Sequence, residues 1–250
     1  MTIVKFLTPH FVTGKILITG KAILDIILLL IRDPSRQSWR LARLILQVKP
    51  TYTMVKNHNL INLYDLVRKA NSLNLAGDLV ECGVWNGGSA AIMGVALAED
   101  NKFAKRRKLW LFDSFQGLPA PGARDGQIAK ESHFRGWLKG DVQKVQKILK
   151  KMDVPMKDVC IMPGWFNETL KTAPIEAIAV LHVDADWYDS VKLALEIFYD
   201  RVVSGGFVVF DDYGFWTGCD RAVGDFFSER GIQGITIRQT ARVGAYLQKP

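Results

Sequence analysis

The stretch Leu79-Val80-Glu81-Cys82-Gly83-Val84-Trp85-Asn86-Gly87-Gly88-Ser89 decides how this chain folds. A short apolar run enters a turn rich in glycine, and an apolar helical pattern, Ala90 to Ala98, leaves it. That is the strand–turn–helix opening of an α/β unit. Glycines let a backbone turn sharply and approach a ligand closely. The turn lacks the G-x-G-x-x-G spacing of nicotinamide-binding folds, because Cys82 and Val84 flank Gly83 and the next glycine is Gly87. It also lacks the Gly-Lys-Ser/Thr of a nucleoside triphosphate P-loop.

Outward from this turn, strand-like and helical runs alternate. Asn57 to Leu73 precedes it with Leu60, Leu63, Tyr64 and Val67 at helical spacing. Lys108–Phe112, Val159–Met162, Ile178–Val183 and Gly206–Phe210 read as further strands. Asp141–Lys151, Ser190–Tyr199 and Ala222–Arg230 read as helices, and Gln116–Gly126 as a Gly/Pro loop. Ile235–Arg238 and Ala245–Gln248 form a closing hairpin. The expectation is an open, mostly parallel sheet with helices on both faces and an antiparallel C-terminal hairpin. Ligands of such sheets bind outside the carboxyl ends of the strands.

The residues at those ends are acidic. Glu81 closes the first strand, where a carboxylate repels phosphate and welcomes a cationic amine. A nucleoside with an amino-acid tail fits that charge, and S-adenosylmethionine (AdoMet) is the candidate. Asp113, at the end of the second strand, is placed to accept hydrogen bonds from ribose hydroxyls. The plainer alternative is that Asp113-Ser114 caps a following turn. His182-Val183-Asp184-Ala185-Asp186 ends one strand and Phe210-Asp211-Asp212-Tyr213 the next. Carboxylates gathered on one rim repel each other unless a cation neutralises them. Asp184, Asp211 and Asp212 are therefore candidate ligands for Mg²⁺, a hard cation that takes oxygen donors. Asp186 and Asp189 have the alternative reading of acidic residues at a helix N-terminus.

Composition narrows the setting. The 250 residues are 48% apolar with 21 Gly and 9 Pro, which excludes a disordered or collagen-like chain. Three Cys do not make a disulfide scaffold, and Cys82 and Cys160 read as buried thiols of a reducing, cytoplasmic compartment. The net charge of +8 selects no partner by itself. Its basic residues are dispersed and the expected site rim is acidic, so no nucleic-acid partner is expected. Residues 1–50 differ from the rest and are expected to be a helical extension to a domain spanning 51–250. Within Lys15–Arg32, the apolar core Ala22–Ile31 is about half the roughly 20 residues a membrane span needs. No small-residue cleavage site follows, as a signal peptide requires. Ser35–Lys49 interleaves Arg and Lys with Trp39, Leu41, Leu44, Ile45 and Leu46. One reading is a helix packed on the domain or on another subunit of a homo-oligomer. The other is peripheral contact with an anionic membrane.

Six ordered blocks resemble the macrocin O-methyltransferase family: E-C-G-V-W-N-G-G-S, F-D-S-F-Q-G-L-P, P-G-W-F-N-E-T-L, H-V-D-A-D-W-Y-D-S, G-G-F-V-V-F-D-D-Y and G-C-D-R-A-V. The resemblance runs from about Thr51 to the C-terminus. It implies a class I AdoMet-dependent methyltransferase (Rossmann-like) fold with a Mg²⁺ site, acting on a sugar hydroxyl of a glycan or natural product. It also implies roles. Glu81, Gly83, Val84, Trp85, Gly87 and Ser89 would hold the methionine portion. Asp113 and Ser114 would hold the ribose, with Trp165 and Phe166 near the cofactor. Asp184, Asp211 and Asp212 would hold the metal, and Asp186 would be the general base. Asp220 and Trp187 depart from the family pattern at positions bearing on the acceptor. His133 and Arg124 lie in a loop, Gln116–Arg135, that would close over the acceptor; His133 is an alternative base and His182 a strand residue with a structural partner. Two alternatives stay open: a metal-dependent glycosyltransferase using D-x-D, and a catechol-type O-methyltransferase, whose usual Asp-Asn after the fifth strand is Asp211-Asp212 here.

Overall fold

A computed structural model describes residues 23, 24, 26, 27, 30, 31, 33–99 and 107–250. Most of the apolar run Lys15–Arg32 therefore lies outside the described residues. The helices are α1 (Arg36–Val48), α2 (Asn57–Ser72), α3 (Gly88–Ala98), α4 (Gly126–Ser132), α5 (Val142–Lys151), α6 (Phe166–Thr169), α7 (Tyr188–Phe198) and α8 (Thr217–Glu229). The strands are β1 (Asp78–Cys82), β2 (Leu109–Asp113), β3 (Val159–Pro163), β4 (Ile178–Val183), β5 (Val202–Phe210), β6 (Arg238–Gln239) and β7 (Ala245–Gln248).

The sheet order is β3-β2-β1-β4-β5-β7-β6. The first five are parallel, and β7 pairs antiparallel with β5 and β6. The chain builds outward from β1 in one direction, then returns to place β4 on its other side. That reversal opens a crevice at the carboxyl ends of β1 and β4. The register sets Cys82 beside Val183 and Val183 beside Phe210. Gly83, Asp184 and Asp211 are thus the first residues past three adjacent strand ends.

Period-2 alternation divides the core in two. Leu79, Leu109, Leu111, Val180 and Val209 face α1, α2, α3 and α5. Val80, Phe112, Leu181, Val183, Val208 and Phe210 face α7 and α8. Each such fully buried side chain stabilises the fold by about 1.5–3 kcal/mol. The apolar stripe of α1, Leu41, Ala42, Leu44, Ile45 and Val48, belongs to the first of these cores. Ser35 caps that helix by accepting the Ser38 N–H at 3.2 Å.

Some boundaries, and the burial of one cysteine, differ from the sequence reading. β5 begins at Val202, where Gly205 and Gly206 had obscured the apolar pattern; a register irregularity against β4 absorbs them. α8 begins at Thr217, five residues before its apolar periodicity does. Cys160 is half-buried, unlike Cys82 and Cys219.

Candidate active site

The turn after β1 is held from within the protein. Asp113 Oδ2 accepts the N–H groups of Val84 and Trp85, each at 2.8 Å. Its Oδ1 accepts the N–H of Phe115 at 2.6 Å. Burial holds the Asp113 carboxyl above its usual range, with these three bonds opposing the rise in part. Asp113 is therefore an organiser of the turn, and only its remaining lone pairs are left for a ligand. Ser114 is likewise engaged locally: its hydroxyl donates to Gly117 O at 3.0 Å and accepts the Gln116 N–H at 3.1 Å. Gly164 donates to Asp113 O at 3.0 Å, which brings Trp165 to the same rim. Trp165 itself caps α6, with its carbonyl accepting the Glu168 and Thr169 N–H groups.

The glycines have protein neighbours. A Cβ on Gly83, at φ +93°, would sit 1.7 Å from Asp184 O. Gly83 thus allows the β1 and β4 turns to touch. Gly87 lies against Val145 and Gly88 against Tyr52 and Thr53, and Ser89 is buried in the first turn of α3.

Glu81 is fully buried, and its Oε1 makes a 2.9 Å hydrogen bond with His182 Nδ1 across the β1–β4 pair. This is the structural partner expected for His182. Glu81 Oε2 has no partner among the described residues. A buried carboxylate oxygen left unpaired is costly, and a cationic N–H donor such as the AdoMet ammonium fits it.

At the ends of β4 and β5 the carboxylates converge. Asp184, Asp186 and Asp212 each offer an oxygen, and these atoms lie within 4.8 Å of one another. Asp186 and Asp212 are buried and Asp184 partly so. Burial, reinforced by the neighbouring Asp211, Asp212 and Asp186 charges, raises the Asp184 carboxyl well above its usual range. Burial and the charges of Asp186 and Asp211 do the same to Asp212. Asp186 is pushed up to about 7, again chiefly by burial. Crowded oxygen donors of this kind fit a hard divalent cation such as Mg²⁺.

The grouping differs from the expected metal set. Asp211 Oδ1 accepts Asn59 Nδ2 at 2.8 Å, and Asn59 Oδ1 accepts the Thr240 hydroxyl at 2.5 Å. Asp211 is thereby turned toward α2 and the C-terminal hairpin, and Asp186 takes the third place. Asp186 stands at φ +53°, a left-handed conformation that bends the chain into α7. Its N–H donates to Asp212 Oδ2 at 3.0 Å, and its Oδ1 accepts Trp216 Nε1 at 2.9 Å. Trp216, Trp187 and Trp137 pack together, with ring centroids 5.0–6.3 Å apart, as an aromatic wall behind it.

The segment after Asp113 is pinned over the site. Asp125 is buried; its Oδ1 accepts the N–H of Tyr188, the first residue of α7, at 2.6 Å. Pro119 O accepts Trp187 Nε1 at 2.9 Å, and Arg124 lies 4.2 Å from the centroid of the Tyr188 ring. His133 Nε2 bonds Leu118 O at 3.3 Å within the same segment. Asn59, Asp125 and Trp216 went unmarked in the sequence. Only Asn59 left a trace, a polar residue four before Leu63 on the buried stripe of α2.

The chain is similar to known proteins. Residues 45–249 match the Macrocin-O-methyltransferase (TylF) family. The chain is similar to demethyldecarbamoylnovobiocin O-methyltransferase of Streptomyces niveus, 36% identical over 205 residues, 79% of this chain and 76% of that one. It is also similar to 8-demethyl-8-(2,3-dimethoxy-alpha-L-rhamnosyl)-tetracenomycin-C 4'-O-methyltransferase of Streptomyces olivaceus, 34% identical, covering 79% of each. The solved structure of the O-methyltransferase NovP superposes with a TM-score of 0.71 at 33% identity, covering 79% of this chain and 82% of that one. With its sheet reversing at β1/β4 and its acidic rim past β4 and β5, the chain belongs to the macrocin O-methyltransferase family of AdoMet-dependent O-methyltransferases.

Proposed function

We propose that this enzyme moves the methyl group of AdoMet to a sugar hydroxyl of a glycan or natural product, with Mg²⁺ at the acidic rim. The observation that carries the reading is the convergence of Asp184, Asp186 and Asp212 beside the Gly83 turn. A carboxylate cluster next to a cofactor turn suits activation of a weakly acidic hydroxyl. The similar Streptomyces olivaceus enzyme, whose name places a rhamnosyl group on its substrate, supports a sugar acceptor.

When bound, AdoMet supplies an activated methyl, and Mg²⁺ lowers the pKa of an alcohol it coordinates. Glu81 Oε2 would hold the ammonium of the cofactor, and the free lone pairs of Asp113 its ribose. Asp184 and Asp212 would hold the cation. Asp186 would accept the proton of the acceptor hydroxyl: Trp216 occupies its Oδ1, which leaves Oδ2 to act. The three tryptophans keep water from that side of the carboxylate. Asp211, bonded to Asn59, would steady the end of β5.

The test is calorimetric titration with S-adenosylhomocysteine, Mn²⁺ binding, and methyl transfer to sugar diols, on wild type and Asp186→Asn. The variant is expected to bind S-adenosylhomocysteine and Mn²⁺ as wild type does while kcat falls roughly 10²–10⁴-fold, the usual contribution of a general base. Loss of Mn²⁺ affinity in Asp186→Asn would make Asp186 a ligand and overturn its role as base. Transfer to sugar diols that persists undiminished in a chelator would overturn the metal.

A further inference from the structure

The outer face of α1 has no place in methyl transfer. Its inner stripe is committed to the core, so the remaining surface is a separate feature. Arg36, Trp39, Arg40, Arg43 and Leu46 are all exposed, Trp39 at 53%. At 100° per residue they occupy a continuous arc of roughly 120°, with Leu46 and Trp39 at one edge and the three arginines beside them. No acidic residue occurs anywhere in Arg36–Val48. Just before α1, residues 23, 24, 26, 27, 30 and 31 are helical. Ile26 is buried and Leu30 packs against the core, while Ile23, Leu24, Ile27 and Ile31 stay exposed, Ile31 at 72%. Six of the eleven exposed large apolar side chains of the described residues therefore fall between Ile23 and Leu46.

We propose that this N-terminal face docks the enzyme on an anionic membrane surface. Exposed Ile and Leu supply insertion into the headgroup boundary, and a Trp rimmed by arginines suits the interface itself. Basic residues next to such a face add attraction to anionic lipid. The charge selects among occupants. A second copy of this chain, docked through the same patch about a two-fold axis, would set arginines against arginines; an anionic surface neutralises them. The contact is peripheral, since no helix among the described residues is long and apolar enough to cross a membrane. The helix α1 also lies along α3. Arg40 pairs with Glu99 at 3.1 Å just past the C-terminal end of α3. Tyr52, beyond the other end of α1, accepts the Gly88 N–H at the start of α3. Docking along α1 therefore leaves the carboxyl ends of the strands open at one edge of the contact.

The experiment uses the full chain and co-sedimentation with phosphatidylcholine vesicles, with or without phosphatidylglycerol. Binding is expected to the anionic vesicles only, and to weaken as salt rises. Arg36→Glu with Arg43→Glu should weaken it by roughly thirtyfold or more, at about 1 kcal/mol per basic residue near the surface. Trp39→Ser with Leu46→Ser should weaken it in the same assay. Arg40 is left intact because of its pair with Glu99. S-adenosylhomocysteine affinity, unchanged in both variants, establishes that they fold. Equal sedimentation with neutral and anionic vesicles would overturn the proposal even if neither variant folded. So would a dimer in sedimentation velocity that the same substitutions dissolve, which would assign the face to a second copy.

Discussion

Replacing Asp212 by Asn should make the metal-free enzyme more stable while disabling it. Asn keeps an oxygen to accept the Asp186 N–H, now made by Asp212 Oδ2 at 3.0 Å, and removes one negative charge from the cluster. Unit charges at the 4.8 Å bound of that cluster repel by about 3 kcal/mol at an effective dielectric of about 20. In a chain of this length a kilocalorie corresponds to about 2–4 °C of Tm, so one relieved pair is worth about 6–12 °C. The effect depends on pH in a definite direction. The folded Asp184, Asp186 and Asp212 hold protons that the unfolded chain has already released, because burial raises all three carboxyls, Asp186 to about 7. Their contribution is complete below the ordinary carboxylate range and is lost as pH rises through the folded values. The metal-free wild type should therefore lose Tm between pH 5 and pH 8, and Asp212→Asn should lose less. Mg²⁺ should restore the wild type at pH 8 by mass action and do little for the variant. The assay is thermal unfolding in a chelator and then in excess Mg²⁺ at both pH values. A variant less stable than wild type at pH 8 in the chelator, or one rescued equally by Mg²⁺, would refute the reasoning.

Two other substitutions probe the cofactor turn. Asp113→Ala strips the acceptor from the Val84, Trp85 and Phe115 N–H groups; each buried orphan costs about 1–3 kcal/mol. Calorimetry should show S-adenosylhomocysteine binding lost, with a fall in Tm that a ribose contact alone would not produce; an unchanged Tm would restore the simpler role for Asp113. Gly83→Ala places a methyl 1.7 Å from Asp184 O at a positive φ. It should lower stability by more than about 4 kcal/mol, read as loss of folded protein on expression, and a variant with wild-type Tm would contradict the close contact of the two turns.

The alternation of β1 through β5 with their helices was readable because each strand is a short apolar run bounded by turn residues. Leu79–Cys82 and Ile178–Val183 carry that signal almost undiluted. The acidic ends of the strands were readable for the same reason: a carboxylate directly after an apolar strand has few ordinary explanations. The aim of each carboxylate was not readable. One oxygen of Asp211 is taken up by Asn59, 152 residues earlier, whose Nδ2 donates to it. Nothing within either local segment encodes that bond. The start of α7 was hidden likewise, since its cap is Asp125, 63 residues upstream, and not a side chain at its own N-terminus. Trp187 stood out as unusual between the D-x-D and Tyr188; its role beside Trp137 and Trp216 emerges only when three segments meet.

The pinning of the segment after Asp113 has a consequence for altering this enzyme. That segment meets α7 and the residue before it through fixed points: the Pro119 carbonyl, the Asp125 carboxylate and Arg124 stacked on Tyr188. Between Pro119 and Arg124 the chain is tied in as well: the Gly122 N–H donates to Asp125 Oδ2 at 2.6 Å, on the same carboxylate whose Oδ1 holds the start of α7. Rewriting residues 120–123 would therefore loosen Asp125 and, through it, the entrance to α7. The loop and the carboxylate rim are in this way coupled parts of one chain, and a change in the first is carried to the second through Asp125.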